Sequence, residues 1–163
     1  ADITLLNGVG SDGRRGDLML PQMGDNGKNL LLDFTICHPT CPSLLNGTRK
    51  DPSSAIQKAR NRKNEKYKEG ADANDITFMP MALECFGALS TEFVHVIQML
   101  SEKRANIVGS NKSAVAQYWY KRISCTLHKI TYITTTTSLH SYYHLCHCDL
   151  FLLSFFLEYC ACF

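Results

Sequence analysis

A chain of 163 residues is long enough for one domain with a substantial core and too short for two. With 45% hydrophobic and 20% charged residues it has a globular composition, and a net charge of +2 is too small to make a nucleic-acid binder by total charge alone. No charged-then-apolar leader opens the chain, and the apolar run from Leu150 to Leu157 is far too short to span a bilayer, so neither secretion nor membrane insertion is expected.

In chain order, ITLL at 3–6 suggests a strand, followed by the glycine-rich, basic connector NGVGSDGRRG. Residues 17–38 read as a hairpin, because Asp25, Asn26 and Gly27 separate the apolar runs LML and LLLDFTI. Pro39, Pro42 and Pro52 mark residues 39–53 as a loop. Ser53 or Ser54 then caps a helix to about Glu69, with Gly70 at its end. ITFMPMAL reads as a largely buried strand, with Pro80 placed at an edge or a bulge. Ser90 or Thr91 caps a second helix whose Phe93, Val96, Ile97 and Leu100 share a face. KSAVAQYWYKRISCTLHK gives a third, with Val115, Tyr118, Trp119 and Ile123 inward. The fold class expected is α/β, a mixed central β-sheet with flanking helices.

Composition changes near residue 130. Residues 130–163 contain four successive threonines and no Lys or Arg, and hold Cys146, Cys148, Cys160 and Cys162. They read as an atypical Cys/His/Thr-rich tail outside the main domain of 1–129. Cys37, Cys41, Cys85 and Cys125 are too scattered for a disulfide framework, which suits a reduced, intracellular protein. The chain opens on Ala1, as a fragment or a processed product would.

The chemistry lies in two acids. Residues facing each other across a hairpin hold their side chains about 5 Å apart, so Asp17 and Asp33 are candidates for one face. Two adjacent carboxylates repel, and burying them needs a cation between them. Mg²⁺ is suited, being a hard ion that takes one or two carboxylates and keeps several waters. The alternative is structural: Asp17 caps the strand and Asp33 pairs with Arg14 or Arg15. The helix that follows concentrates Lys58, Arg60, Arg62, Lys63, Lys66 and Lys68, opposed by Glu65 and Glu69. Such a run is usually a solvated face. Beside two carboxylates it also supplies a lysine to steady developing charge and others to hold phosphates.

The order Arg14-x-x-Asp17, hydrophobics, Asp33, then Lys63-x-x-Lys66-Tyr67 resembles the restriction-endonuclease-like domain of the PD-(D/E)xK superfamily. The nearer likeness is to the version found behind the reverse transcriptase in site-specific non-LTR retrotransposon proteins. TFMPMALECFGALS and AVAQYWYKRISCTL are similar to later segments of such proteins, so the likeness covers roughly residues 12–129. It implies a restriction-endonuclease-like core, N-terminally truncated, acting on DNA with Mg²⁺. It makes Asp17, Asp33 and the Phe34 carbonyl metal ligands, with Glu84 a further candidate, and Lys63 or Lys66 the catalytic lysine. Arg14, Arg15, Lys58, Arg62 and Tyr67 would contact DNA, and an upstream reverse transcriptase domain would be a partner. The protein would act inside the cell, and in the nucleus if its target is chromosomal. Gly16 stands where the superfamily prefers Pro, and Thr35 where most members carry Lys, which leaves the helix lysine as the candidate. Two further readings are a catalytically inactive nucleic-acid-binding module of the same fold and a degenerate fragment without function.

Other signals are weaker. Cys37, His38 and Cys41, with His140, His144, Cys146, His147 and Cys148, carry zinc-type ligands but lack two well-spaced pairs. His95, on an otherwise apolar helix, reads as a satisfied or half-exposed histidine rather than a base. Tyr118, Trp119 and Tyr120 could stack on bases, though their positions favour core contacts.

Overall fold

A computed structural model describes residues 16–136, with side chains to residue 129. Outside the described residues lie the expected first strand at 3–6, Arg14, Arg15 and the tail beyond residue 136. The elements run β1 (Leu18–Leu20), β2 (Asn29–Cys37), α1 (Pro42–Lys50), α2 (Ser54–Ala73), β3 (Ile76–Glu84), α3 (Thr91–Val108) and α4 (Lys112–Thr136).

β2 is the centre of a three-stranded mixed sheet, antiparallel to β1 and parallel to β3. The hairpin is present, but its connection is a loop holding a 3-10 turn over Asp25–Gly27. Asn26 and Gly27 adopt φ of 55° and 75°, the left-handed region that Asn and Gly tolerate best. Pro80 sits in β3, an edge strand among the described residues, where a missing N–H costs no ladder bond.

The period-two alternation of the strands sorts their side chains onto two faces. Leu18, Leu20, Leu30, Leu32, Phe34, Met81 and Leu83 pack with Phe93, Val96, Ile97 and Leu100 of α3 and Ile123 and Leu127 of α4. Phe34 and Phe93 meet edge to face, with ring centroids 6.0 Å apart. Residues of the other register, Asp33, Thr35, Cys37, Pro80, Ala82 and Glu84, lie on the face that α2 covers. Helices therefore flank both faces of the sheet.

Three helices depart from expectation. Residues 42–50, expected as loop, form α1, because Pro42 is at the first helical position, where its fixed φ and missing N–H suit a helix start. α2 does not stop at Gly70 but continues to Ala73, where Ala71 is buried under the same stripe as Tyr67. α4 buries Ala116, Ile123 and Leu127; of the residues predicted inward, Ile123 is buried and Trp119 packs against the core, while Val115 and Tyr118 do not join them. Val115 is half-buried and Tyr118 is 51% exposed, stacked edge-on to Trp119 and capped by the Arg122 guanidinium. Leu127 fixes this rotation, since a helix that buries 116, 123 and 127 turns 118 outward. α4 also crosses the boundary expected after residue 129 without a break.

Candidate functional site

The antiparallel register pairs Leu18 with Leu32, and Asp17, the residue just before β1, lies close enough to Asp33 to feel its charge. The Asp17 amide donates to the Leu32 carbonyl at 3.0 Å, one residue out of that register, and ties the residue to β2. The carboxylate is held as well: the Phe34 N–H donates to Asp17 Oδ2 at 2.6 Å. Asp33 lies mid-strand on the face that α2 covers and is 2% exposed. Gly16, just before the pair, is packed against β2. A β-carbon there would come within 2.6 Å of Leu31 Cδ1, so this chain has little room for the Pro the resembled family prefers.

α2 supplies the cations. Ala55, Ala59, Lys63, Tyr67 and Ala71 recur every four residues and form the stripe that faces the sheet. The alanines let the helix approach closely, which brings Lys63 down onto the strand. Its ammonium makes an ion pair with Asp33 Oδ2, with 17% and 3% of the two side chains exposed. Tyr67 is buried beside it, its ring 5.4 Å from that of Phe78. The phenol is pushed up to about 12 by burial and by the neighbouring Asp33 charge, to which it also hydrogen-bonds. Lys66 donates to the Tyr67 hydroxyl at 2.7 Å and lies 4.5 Å from the ring centroid. A chain of polar contacts thus runs from Lys66 through Tyr67 to Asp33 and Lys63, with Asp17 across the strand gap.

Asp17 and Asp33 face the two cations Lys63 and Lys66, and burial is the largest influence on Asp17. Burial and the Asp33 charge raise the Asp17 carboxyl above its ordinary value, against the opposing pull of the Phe34 N–H and of Lys63 and Lys66. Two hard oxygen donors side by side, one of them disfavoured as a carboxylate chiefly by burial, match the donor chemistry of a Mg²⁺ ion that keeps most of its waters. The group consists of two carboxylates: among the described residues no three His, Cys, Asp or Glu side chains gather as a metal-binding cluster.

The structure brings together Asp17, Asp33, Phe34, Lys63, Lys66 and Tyr67, and leaves the other expected residues elsewhere. Tyr67 is 8% exposed and bonded inward, so it offers no open face for a base. Lys58 and Arg62 are exposed on α2 away from the sheet. Arg60, absent from the expected site, reaches Glu92 of α3 in an ion pair around the open side of β3. Glu84 pairs in register with Cys37, four positions from Asp33 and so about 13 Å along the strand. It is 7% exposed, with Oε1 unpartnered, and burial raises its carboxyl above the ordinary value. Its surroundings are thiols: Cys37 is pushed up to about 12 by burial and by the Glu84 charge, and Cys85 is raised for the same reasons. Cys37 and Cys41 are half-buried, and the Thr40 hydroxyl lies 2.9 Å from His38 Nδ1, so the CHPTC segment makes local loop contacts. His95 is exposed on α3, outside the core. Sequence reasoning missed α1, whose Arg49 and Lys50 add cations beside Lys58; Pro42 at a helix start was the signal available.

No protein-family model, curated protein or solved structure matches the chain. Its class is that of a mixed α/β protein whose three-stranded sheet carries a buried carboxylate–lysine–tyrosine cluster under one helix. No helix among the described residues is long and apolar enough to cross a membrane.

Proposed function

We propose that this chain is a metal-dependent endonuclease-like domain that acts on DNA phosphodiesters, of the restriction-endonuclease-like kind that follows reverse transcriptase in site-specific non-LTR retrotransposon proteins. The observation that carries the reading is the convergence of Asp17, Asp33 and Lys63 from three separate elements onto one face of the sheet. Nothing in core packing requires a lysine on the buried stripe of α2, because Ala or Leu would fill the position at lower desolvation cost.

Asp17 and Asp33, with the Phe34 carbonyl one residue on, would hold Mg²⁺. When bound, the ion lowers the pKa of a water and neutralises charge on the phosphate. Lys63 is paired with Asp33 and sits where an approaching phosphate would meet a positive charge. Tyr67, its phenol pushed up to about 12, stays protonated at neutral pH and orients Asp33 and Lys66 rather than acting as a base. Lys66, at the mouth of the site, would contact the scissile phosphate, while Lys58 and Arg62 would hold neighbouring ones. Such a protein acts inside the cell, on chromosomal DNA in the nucleus where that is its target, and an upstream reverse transcriptase domain fits as its partner.

A second reading has its own support. The Lys63–Asp33 pair already neutralises half of the acidic charge, as in a domain that keeps its fold and binds nucleic acid without cutting it. A cleavage assay on supercoiled plasmid with Mg²⁺ or EDTA separates the two. The nuclease reading expects Mg²⁺-dependent nicking that Asp33→Asn abolishes while DNA affinity is kept. Binding with no nicking by the parent chain contradicts that reading and leaves the binding module.

A further inference from the structure

The cations of α2 do not form one surface. Arg60 is held by Glu92, and Lys68 lines an open groove with Asp72, Ile76 and Phe78 along the first half of β3. Lys58, Arg62 and Lys66 follow one another at four-residue intervals on the other flank, each about 6 Å further along the axis. That row ends at the carboxylate site, where Lys66 touches Tyr67.

Its other end meets α1. Gly47 faces the start of α2 so closely that a β-carbon would lie 3.0 Å from Ser54 Oγ and 3.9 Å from Lys58 Nζ. The last turn of α1 therefore lies beside Lys58, and that turn carries Arg49 and Lys50, both exposed. Among the described residues none of Arg49, Lys50, Lys58 and Arg62 takes part in an ion pair. Asp51, next to Lys50 in the chain, is turned onto the Ser53 amide and hydroxyl at 2.9 and 2.8 Å. Two cations in a last helical turn also complement the helix carbonyls, a gain of about 0.3–1 kcal/mol that accounts for their position on α1 but not for their alignment with Lys58 and Arg62.

We propose that Arg49, Lys50, Lys58 and Arg62 form a track for the sugar–phosphate backbone of DNA, running from the end of α1 along α2 to the Asp17–Asp33 pair. The inference rests on the DNA-directed reading above and adds α1 to it. A row of evenly spaced cations suits a polymer of evenly spaced anions. A membrane surface is a poorer fit, since polar Gln57, Asn61 and Glu65 run alongside the cations and the apolar stripe of α2 faces the sheet.

The test is binding of the full chain to a labelled 30-base-pair duplex, in EDTA, across a salt series. Three variants are compared: Arg49→Ala/Lys50→Ala, Lys58→Ala/Arg62→Ala, and Lys103→Ala/Lys121→Ala, which removes two exposed cations from α3 and α4. Each track pair should lower the slope of log K against log salt by about 2, and the α3/α4 pair should leave it unchanged. Equal effects of all three pairs would mean diffuse attraction and overturn the track. So would an Arg49→Ala/Lys50→Ala chain that binds like the parent, or tighter binding to phosphatidylserine vesicles than to DNA. The track and the nuclease reading fail separately: a parent that nicks DNA with the α1 variant unaffected rejects the track alone, and one that binds along the track without nicking rejects the nuclease alone.

Discussion

Lys63 and Asp33 are joined in an ion pair beneath α2, one on a helix stripe otherwise made of small and aromatic residues and the other in the central strand. A pair removed from water this far is costly to make and costlier to break on one side. Lys63→Met leaves Asp33 buried without its counter-ion and should lower stability by about 3–5 kcal/mol, as should Asp33→Leu for Lys63. The double variant should recover most of that loss, which urea unfolding of all four chains measures as a coupling energy. Additive losses would mean that the pair is not a unit.

Asp17 has the opposite character. Its carboxyl is raised by burial and by Asp33, so ionisation there weakens the fold. A group whose folded value exceeds its unfolded one favours the native state most below the unfolded value and loses that contribution as pH rises through the folded value. Asp17→Asn keeps an acceptor for the Phe34 N–H and should raise stability at neutral pH by roughly 0.5–2 kcal/mol while abolishing any response to Mg²⁺. Melting with and without the ion checks both halves.

Tyr67→Phe tests whether the tyrosine serves the site or the nucleic acid. The ring contact with Phe78 would remain and the hydroxyl bridge between Lys66 and Asp33 would be lost. A loss of about 0.5–1.5 kcal/mol in stability is expected, with reduced cleavage and unchanged DNA affinity. A tenfold fall in affinity would instead mean that the residue touches DNA.

Glu84 gives a pH signature separate from the site. Its buried carboxyl is raised by desolvation, so by the same sign it weakens the fold as pH climbs above the ordinary value of 4.5. Glu84→Gln should remove that part of the decline, narrowing the gap between melting temperatures at pH 5 and pH 8. Cleavage by this variant should match the parent, since the residue lies about 13 Å from Asp33 along the strand.

Much of this arrangement was legible in the sequence. Alternation and an Asp-Asn-Gly turn located the hairpin and made Asp17 and Asp33 candidates for one face, while their closeness came from the way Asp17 bonds to Leu32 and Phe34. The four-residue stripe Ala55, Ala59, Lys63, Tyr67, Ala71 could be read from spacing, but a run of six cations concealed it, because charge suggests solvent before it suggests burial. Which lysine turned inward depended on where the small residues lay. α1 was hidden for a related reason: Pro42 was counted as a breaker, although a proline at a helix start is favourable. The rotation of α4 was set by Leu127 and by contacts with α3, which no local pattern contains.

The central claim is that the two hairpin acids form a cation site, and a Mg²⁺ titration of the chain followed by thermal unfolding tests it most directly. The account expects the melting temperature to climb with Mg²⁺ concentration by mass action, and Asp33→Asn to be indifferent to the ion. A cooperative transition that stays fixed from zero to 20 mM Mg²⁺ in the parent chain would contradict it, and would leave Asp17 and Asp33 as structural partners of Phe34 and Lys63.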